Sequence, residues 1–171
     1  MRRILLIIFF IVAAGATSMA QKYAYVDTEY ILNKIPAYAE AQSKLDEISG
    51  QFQAELEQKH AEIGKMYSDF QTEAALLSAD MKRKREDLII SKEKEYKALQ
   101  RKYFGPEGDL FQKREALVKP IQDKIYNAIQ SLASEGGYAV IFDKAAGTTM
   151  LYTDPRYDLS VLVLQKLGYK N

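Results

Sequence analysis

Cysteine is absent from the 171 residues, so the chain has no disulfide framework, no thiolate metal site and no thiol nucleophile. Tryptophan is also absent, and histidine occurs once, at His60. A single imidazole, with no second His at H-E-x-x-H spacing, argues against a His-built metal site and against ordinary His-based acid–base chemistry. No sign of charge prevails: 24 Lys and Arg stand against 23 Asp and Glu. That balance gives no global basic field to draw in nucleic acid. Beyond the first twenty residues no run approaches the ~18 continuous apolar residues of a spanning helix. The evenly spaced alternating strands of an outer-membrane barrel are missing as well. The acid pairs Glu55/Glu57 and Glu93/Glu95 are i, i+2 on a helix and do not face each other. Gly105-Pro106-Glu107-Gly108 lacks the G-K-[ST] of a phosphate loop. No catalytic, cofactor-binding or metal-binding residue is assigned, and the chain reads as a non-enzyme without cofactors.

What is present begins with Arg2-Arg3, an apolar stretch over residues 4–16 and then Ser18-Met19-Ala20. A charged start, a short apolar core and a small-x-small site predict a cleaved export signal over residues 1–20, cut after Ala20. The run is too short to span a bilayer. Cleavage leaves 22 basic against 23 acidic residues, a mature net charge of −1.

Tyr23-Ala24-Tyr25-Val26-Asp27 is aromatic and β-branched and predicts a strand. A short helix over residues 29–34 follows, and Pro36 biases Ile35 away from helical geometry. Leu45, Ile48 and Phe52 are spaced by three and four, then Leu56, Ile63, Phe70 and Leu77 recur every seven residues. With His60, Tyr67 and Ala74 four residues after the first three, this is a heptad seam. Ser78 predicts a helix start after a reversal near residues 76–80. The return run, residues 81–103, is very polar, with a thin seam of Ile89, Tyr96 and Tyr103. Gly105-Pro106 breaks it. A stronger seam then runs through Phe111, Val118, Ile121, Ile125, Ala128 and Leu132. Gly136-Gly137 stops that helix. Residues 138–143 and 148–153 predict two strands joined as a hairpin, and Asp158 predicts the cap of a buried closing helix over residues 159–167.

Strand signals at the two ends, and only helix between them, predict a mainly α chain with a small β body. A long antiparallel helical hairpin, a coiled-coil tentacle, is expected to project from a strand-containing oligomerisation body. The body takes residues 21–36 and 136–171, and the hairpin arm with its base takes residues 37–135. A body this small is near the lower limit for independent stability. Exposed strand edges add to the case for oligomerisation. Tyr25, Val26, Val140, Ile141, Phe142 and Leu151 are the residues assigned to that body.

The order of these features resembles the Skp/OmpH family of periplasmic chaperones. Its carriers are Tyr25-Val26-Asp27-Thr28-Glu29-Tyr30-Ile31-Leu32, Ile35-Pro36-Ala37-Tyr38, the break from Tyr103 to Phe111, Lys119-Pro120-Ile121-Gln122-Asp123-Lys124 and residues 138–143. The resemblance spans essentially the whole mature chain. It implies a periplasmic homotrimer that holds unfolded outer-membrane proteins in a cage of helical arms without ATP. The other class open to such a sequence is a structural or adaptor coiled-coil protein of the cell envelope. The family's familiar members are strongly basic and this chain is not, so apolar contact is expected to carry more of the client affinity than charge.

Tyr67, Phe70, Tyr96 and Tyr103 are the candidate client contacts, since aromatic side chains offer large adaptable apolar area. Their alternative role is to close the two helices on each other. Lys82, Arg83, Lys84 and Arg85 are a candidate contact for anionic lipid headgroups or acidic client segments. Asp80, Glu86 and Asp87 dilute that run, which otherwise reads as a solvated helix face.

Overall fold

The computed structural model describes residues 21–147 and 149–169; the expected export signal and Thr148 lie outside the described residues. The elements are β1 (Lys22–Val26), α1 (Thr28–Asn33), α2 (Pro36–Glu73), α3 (Ala79–Phe104), α4 (Asp109–Gly136), β2 (Tyr138–Asp143) and α5 (Ser160–Lys166), with a 3-10 turn at Pro155–Tyr157. The chain is mainly helical with a small sheet, as the sequence predicts, and among the described residues that sheet has two strands. The described residues divide into two compact units, 21–29 with 127–147 and 149–169, and 30–126.

The helical unit is built on α2. Ile35 is extended (φ −95°, ψ 113°) and Pro36 opens the helix at its first position, where the missing N–H costs nothing. At ~1.5 Å per residue, the 38 residues of α2 span about 57 Å and the 26 of α3 about 39 Å. α3 therefore cannot line the full length of α2. The remaining stretch of α2 packs on α4: Ala41, Leu45 and Val118 form a buried cluster, with Tyr38, Leu110, Leu117 and Ile121 against it. The return arm is thus two helices in succession, parted where the sequence places Gly105-Pro106.

The reversal uses residues 74–78, and the Ser78 side chain accepts a hydrogen bond from the Met81 N–H as an N-cap. α2 ends at Glu73, so Leu77, expected as the last seam residue, belongs to the turn. Phe111 also departs from its expected seam role: it is 44% exposed.

In the strand-bearing unit, β1 and β2 run parallel, with Tyr23 opposite Val140 and Val26 opposite Asp143. Gly137 sits at φ +66° between α4 and β2, a left-handed position that favours glycine. The expected hairpin of residues 138–143 with 148–153 does not form. Among the described residues of that second segment, none is in a strand. β2 takes β1 as its partner instead. One edge of β1 carries β2, and the other carries an isolated parallel bridge from Tyr25 to Asp158, where the Leu159 N–H donates to the Tyr25 carbonyl at 2.9 Å. Three hydrogen bonds to side chains complete the unit. The Asp27 N–H donates to Ser160 Oγ at 2.8 Å, and both the N–H and hydroxyl of Thr28 donate to the Asp143 carboxylate. Asp158 Oδ1 accepts the Ser160 N–H at 2.8 Å, close to its expected capping role. The closing helix is buried at Leu159, Val163 and Leu164, but Leu162 is 46% exposed, so burial takes one face instead of most of it.

Lys166 Nζ donates to both carboxylate oxygens of Glu135, at 2.6 and 2.9 Å, tying α5 to the end of α4. Lys166, and then Ser131, hold the Glu135 carboxyl below its ordinary pKa. A depressed carboxylate stabilises above its unfolded pKa and loses that contribution as pH falls through the folded one. Amide protection factors in α5, taken relative to the intrinsic exchange rate at each pH, are therefore expected to fall as pH drops below the ordinary carboxylate range, and Glu135→Gln should remove that acid-side step.

Candidate functional site

The helical hairpin holds all of the expected client contacts and the expected cationic run, but the structure gives them different environments. Tyr103 is buried at 9% exposure. Its ring stacks on Phe52 with centroids 4.0 Å apart and planes 3° from parallel, and its hydroxyl donates to Glu55 Oε2 at 2.6 Å. Phe104 meets the same Phe52 edge-on at 6.2 Å. The Glu55 carboxylate accepts the phenolic proton, which raises the Tyr103 pKa. Tyr103 thus closes α2 and α3 on each other just before the Gly105 break.

Tyr96 is half-buried beside the His60 ring, with centroids 5.7 Å apart. Phe70 is half-buried. Tyr67 is 41% exposed, and its hydroxyl donates to Glu93 Oε1 at 3.0 Å, which raises its pKa. Of the four, Tyr67 presents the most surface to solvent. Between the helices, Ile63, Met66, Tyr96 and Leu99 help line a shallow cavity of about 220 Å³. Polar groups fringe this seam, as expected for a thin two-helix contact.

Lys82, Arg83, Lys84 and Arg85 do not converge. Lys84 pairs with Asp80 at 2.8 Å within its own helix, and Arg85 reaches across to Glu73 at 3.2 Å. Consecutive helical residues turn by about 100° each, so four in a row surround the helix instead of forming one patch. Arg83 is exposed and makes no ion pair among the described residues.

Sequence reasoning missed a set of exposed aliphatic residues near the turn. Leu76 is 87% exposed, Met81 52%, Leu88 47% and Ile90 46%. A signal for two of them was available. Leu88, Ile89 and Ile90 are consecutive, and three successive side chains on a helix cannot all face one partner. Ile89 takes the buried position at 2% exposure, which leaves the other two outside.

In the strand-bearing unit, Tyr25 and Val26 belong to the interior, at 8% and 2% exposure. Ile141 is half-buried. Val140 (40%), Phe142 (44%) and Leu151 (96%) are exposed. Tyr23, Tyr25, Tyr138, Phe142, Tyr152 and Tyr157 help line an open cleft of about 860 Å³ beside the sheet. Among the described residues no group of His, Asp or Glu is arranged to hold a metal ion, and no helix is long and apolar enough to cross a membrane.

Residues 22–167 match a family model described as outer membrane protein (OmpH-like). A chaperone protein Skp from Yersinia enterocolitica is 28% identical over 161 residues, covering 91% of each chain. The fold is similar to that of an OmpH-like protein from Caulobacter crescentus, described as an outer membrane chaperone and solved by crystallography. The TM-score is 0.68 at 11% identity, over 88% of this chain and 86% of the other.

Proposed function

The chain belongs to the OmpH-like outer membrane protein family, and from that premise we propose that it is an ATP-independent holdase of the periplasm for unfolded outer-membrane proteins. Despite the family label, the described residues are mainly helical with a two-stranded sheet. The observation that carries the reading is the surface of the helical unit. Leu76, Met81, Leu88, Ile90 and Tyr67 are dispersed exposed apolar groups on a polar hairpin. No single deep pocket gathers them. Many weak apolar contacts of this kind retain an unfolded chain by avidity and impose no sequence on it. Export through a signal cleaved after Ala20 places the mature chain, starting at Gln21, where such clients pass. Assembly as a homotrimer through the strand-bearing unit covers Val140, Phe142 and Leu151, multiplies the hairpins around one client and protects the β2 edge. Client contact falls to Tyr67, Phe70 and Tyr96 together with the aliphatic set. Tyr103 serves mainly to lock the hairpin.

The test is the aggregation of a denatured outer-membrane barrel diluted into buffer with the mature protein. Light scattering by the client should be suppressed at stoichiometric oligomer, equally with and without nucleotide. Unchanged client aggregation would overturn the holdase reading. Tight binding of a folded envelope protein under the same conditions would favour the adaptor class instead.

A further inference from the structure

The near-zero net charge conceals a segregation of charge within the hairpin. α2 carries eight acidic against three basic residues, and α3 carries nine basic against five acidic. The two signs also occupy opposite flanks. On α2, Glu55, Glu62, Asp69 and Glu73 recur at intervals of seven, seven and four, which is one helical stripe. This stripe runs beside the seam: Glu55 meets Tyr103, Glu73 meets Arg85, and Glu62 lies in the field of Lys92. Arg85, Lys92 and Tyr103 therefore mark the side of α3 that borders the acidic flank.

Ile90, Lys94, Lys97 and Arg101 form a second stripe, spaced four, three and four. On a helix of 3.6 residues per turn they lie about a third of a turn from Ile89, on the side away from Arg85, Lys92 and Tyr103. All four are exposed, and Lys94, Lys97 and Arg101 make no ion pair among the described residues. They line a shallow groove with Ala98 and Lys102. Glu86 and Asp87 bound the stripe on the side of the turn.

The stripes are also level with each other. Tyr103 opposite Glu55, Tyr67 opposite Glu93 and Arg85 opposite Glu73 fix the antiparallel register. On that register Arg101 stands level with Glu57, two residues from Glu55, Lys97 and Lys94 bracket Glu62, and Ile90 stands level with Asp69. One flank of the hairpin thus carries the acidic stripe, with Lys59 paired to Glu62 at 3.6 Å, and the other carries the basic stripe, with Glu57 and Glu93 beside it, at similar heights.

An element with complementary, non-identical flanks pairs head-to-tail, and such contacts close into rings. We propose that in the oligomer the Lys94–Lys97–Arg101 flank of one hairpin docks on the Glu55–Glu62–Asp69 flank of the next copy, so that neighbouring arms draw together side by side. Copies rotated about an axis along the arms bring these level stripes into register without sliding. Each exposed pair contributes little alone. Tethering the arms in one assembly raises their effective concentration to roughly the millimolar range, enough for weak pairs to bias closure. The contact is screened by salt and gives way to a client that supplies better contacts. This inference rests on the oligomer of the proposed function.

The absence of cysteine makes the test direct: Gln71→Cys in the full mature chain places one spin label on each hairpin. At about 0.05 M salt the label–label distances between copies should be short and narrowly distributed. At about 0.5 M salt, where the Debye length is roughly 4 Å, they should lengthen by about 10 Å, a helix-packing distance. K94E/K97E/R101E and E62K/D69K should each cause the same lengthening at low salt, and the two together should restore the short distance. K94Q/K97Q/R101Q serves if reversal perturbs folding, which circular dichroism checks. Light scattering of each sample separates the two readings. An intact oligomer whose distances ignore both salt and charge reversal overturns the flank pairing alone. A monomeric mass overturns the oligomer, and the pairing with it.

Discussion

Deletion of residues 61–94, with a short Gly-rich turn joining His60 to Glu95, is expected to abolish suppression of barrel-protein aggregation. The cut is level across the hairpin. The His60 and Tyr96 rings lie 5.7 Å apart, so a helix-to-helix turn of a few residues closes the gap. The deletion removes Tyr67, Phe70, Leu76, Met81, Leu88 and Ile90, nearly all of the apolar surface offered to a client. Avid binding by many weak contacts collapses steeply when most of them go. Retained below the cut are the Phe52–Tyr103 stack, its Glu55 hydrogen bond and the Ala41–Leu45–Val118 cluster. The shortened protein should therefore stay folded by circular dichroism and keep its oligomeric mass, while its holdase activity falls to background. Full activity in this variant would move the client site to the strand-bearing unit and its aromatic cleft.

The second large effect is on stability. Leu45 is 4% exposed and sits between Ala41 and Val118 in the cluster that joins α2 to α4. Leu45→Ala removes buried methyl groups and leaves a cavity, a loss of about 2–5 kcal/mol. A domain's whole stability is typically about 5–15 kcal/mol, so that loss is a large part of it. Urea denaturation followed by helical circular dichroism should show an earlier transition for the helical unit. Phe111→Ala is the contrasting case, because its ring is 44% exposed, and it should cost less than about 1 kcal/mol. Equal effects from the two substitutions would contradict the packing described for α4.

Much of the helical unit was legible because its signals are local. Heptad spacing, Pro36 at a helix start, Ser78 as an N-cap and the Gly105-Pro106 break each act within a few residues. The strand hairpin was misread because β-propensity names a strand-like segment but not its partner. Residues 138–143 and 148–153 both look extended and lie close in sequence, yet β2 pairs with the distant β1, and no spacing in the sequence announces that choice. The candidate contacts divide for a similar reason. Tyr96 and Tyr103 share a heptad position, but only Tyr103 has Phe52 and Glu55 within reach. Charge was the least legible property. A mature net of −1 is the residue left when an acidic helix and a basic helix are added together, and the total says nothing of where each lies.

The parallel pairing of β1 with β2 also dictates when the protein can finish itself. All of residues 27–137 lie between the two strands. β1 is among the first described residues, and its partner lies in the last quarter of the chain. Closing so large a loop costs conformational entropy that no nearby contact repays. As the chain emerges from its N-terminus, the helices can coil locally within microseconds, whereas Tyr23, Tyr25 and Val26 must wait for strand mates that arrive last. Until then the nascent protein displays the same kind of orphaned aromatic strand as the clients proposed for it, and it is a potential passenger of its own finished copies.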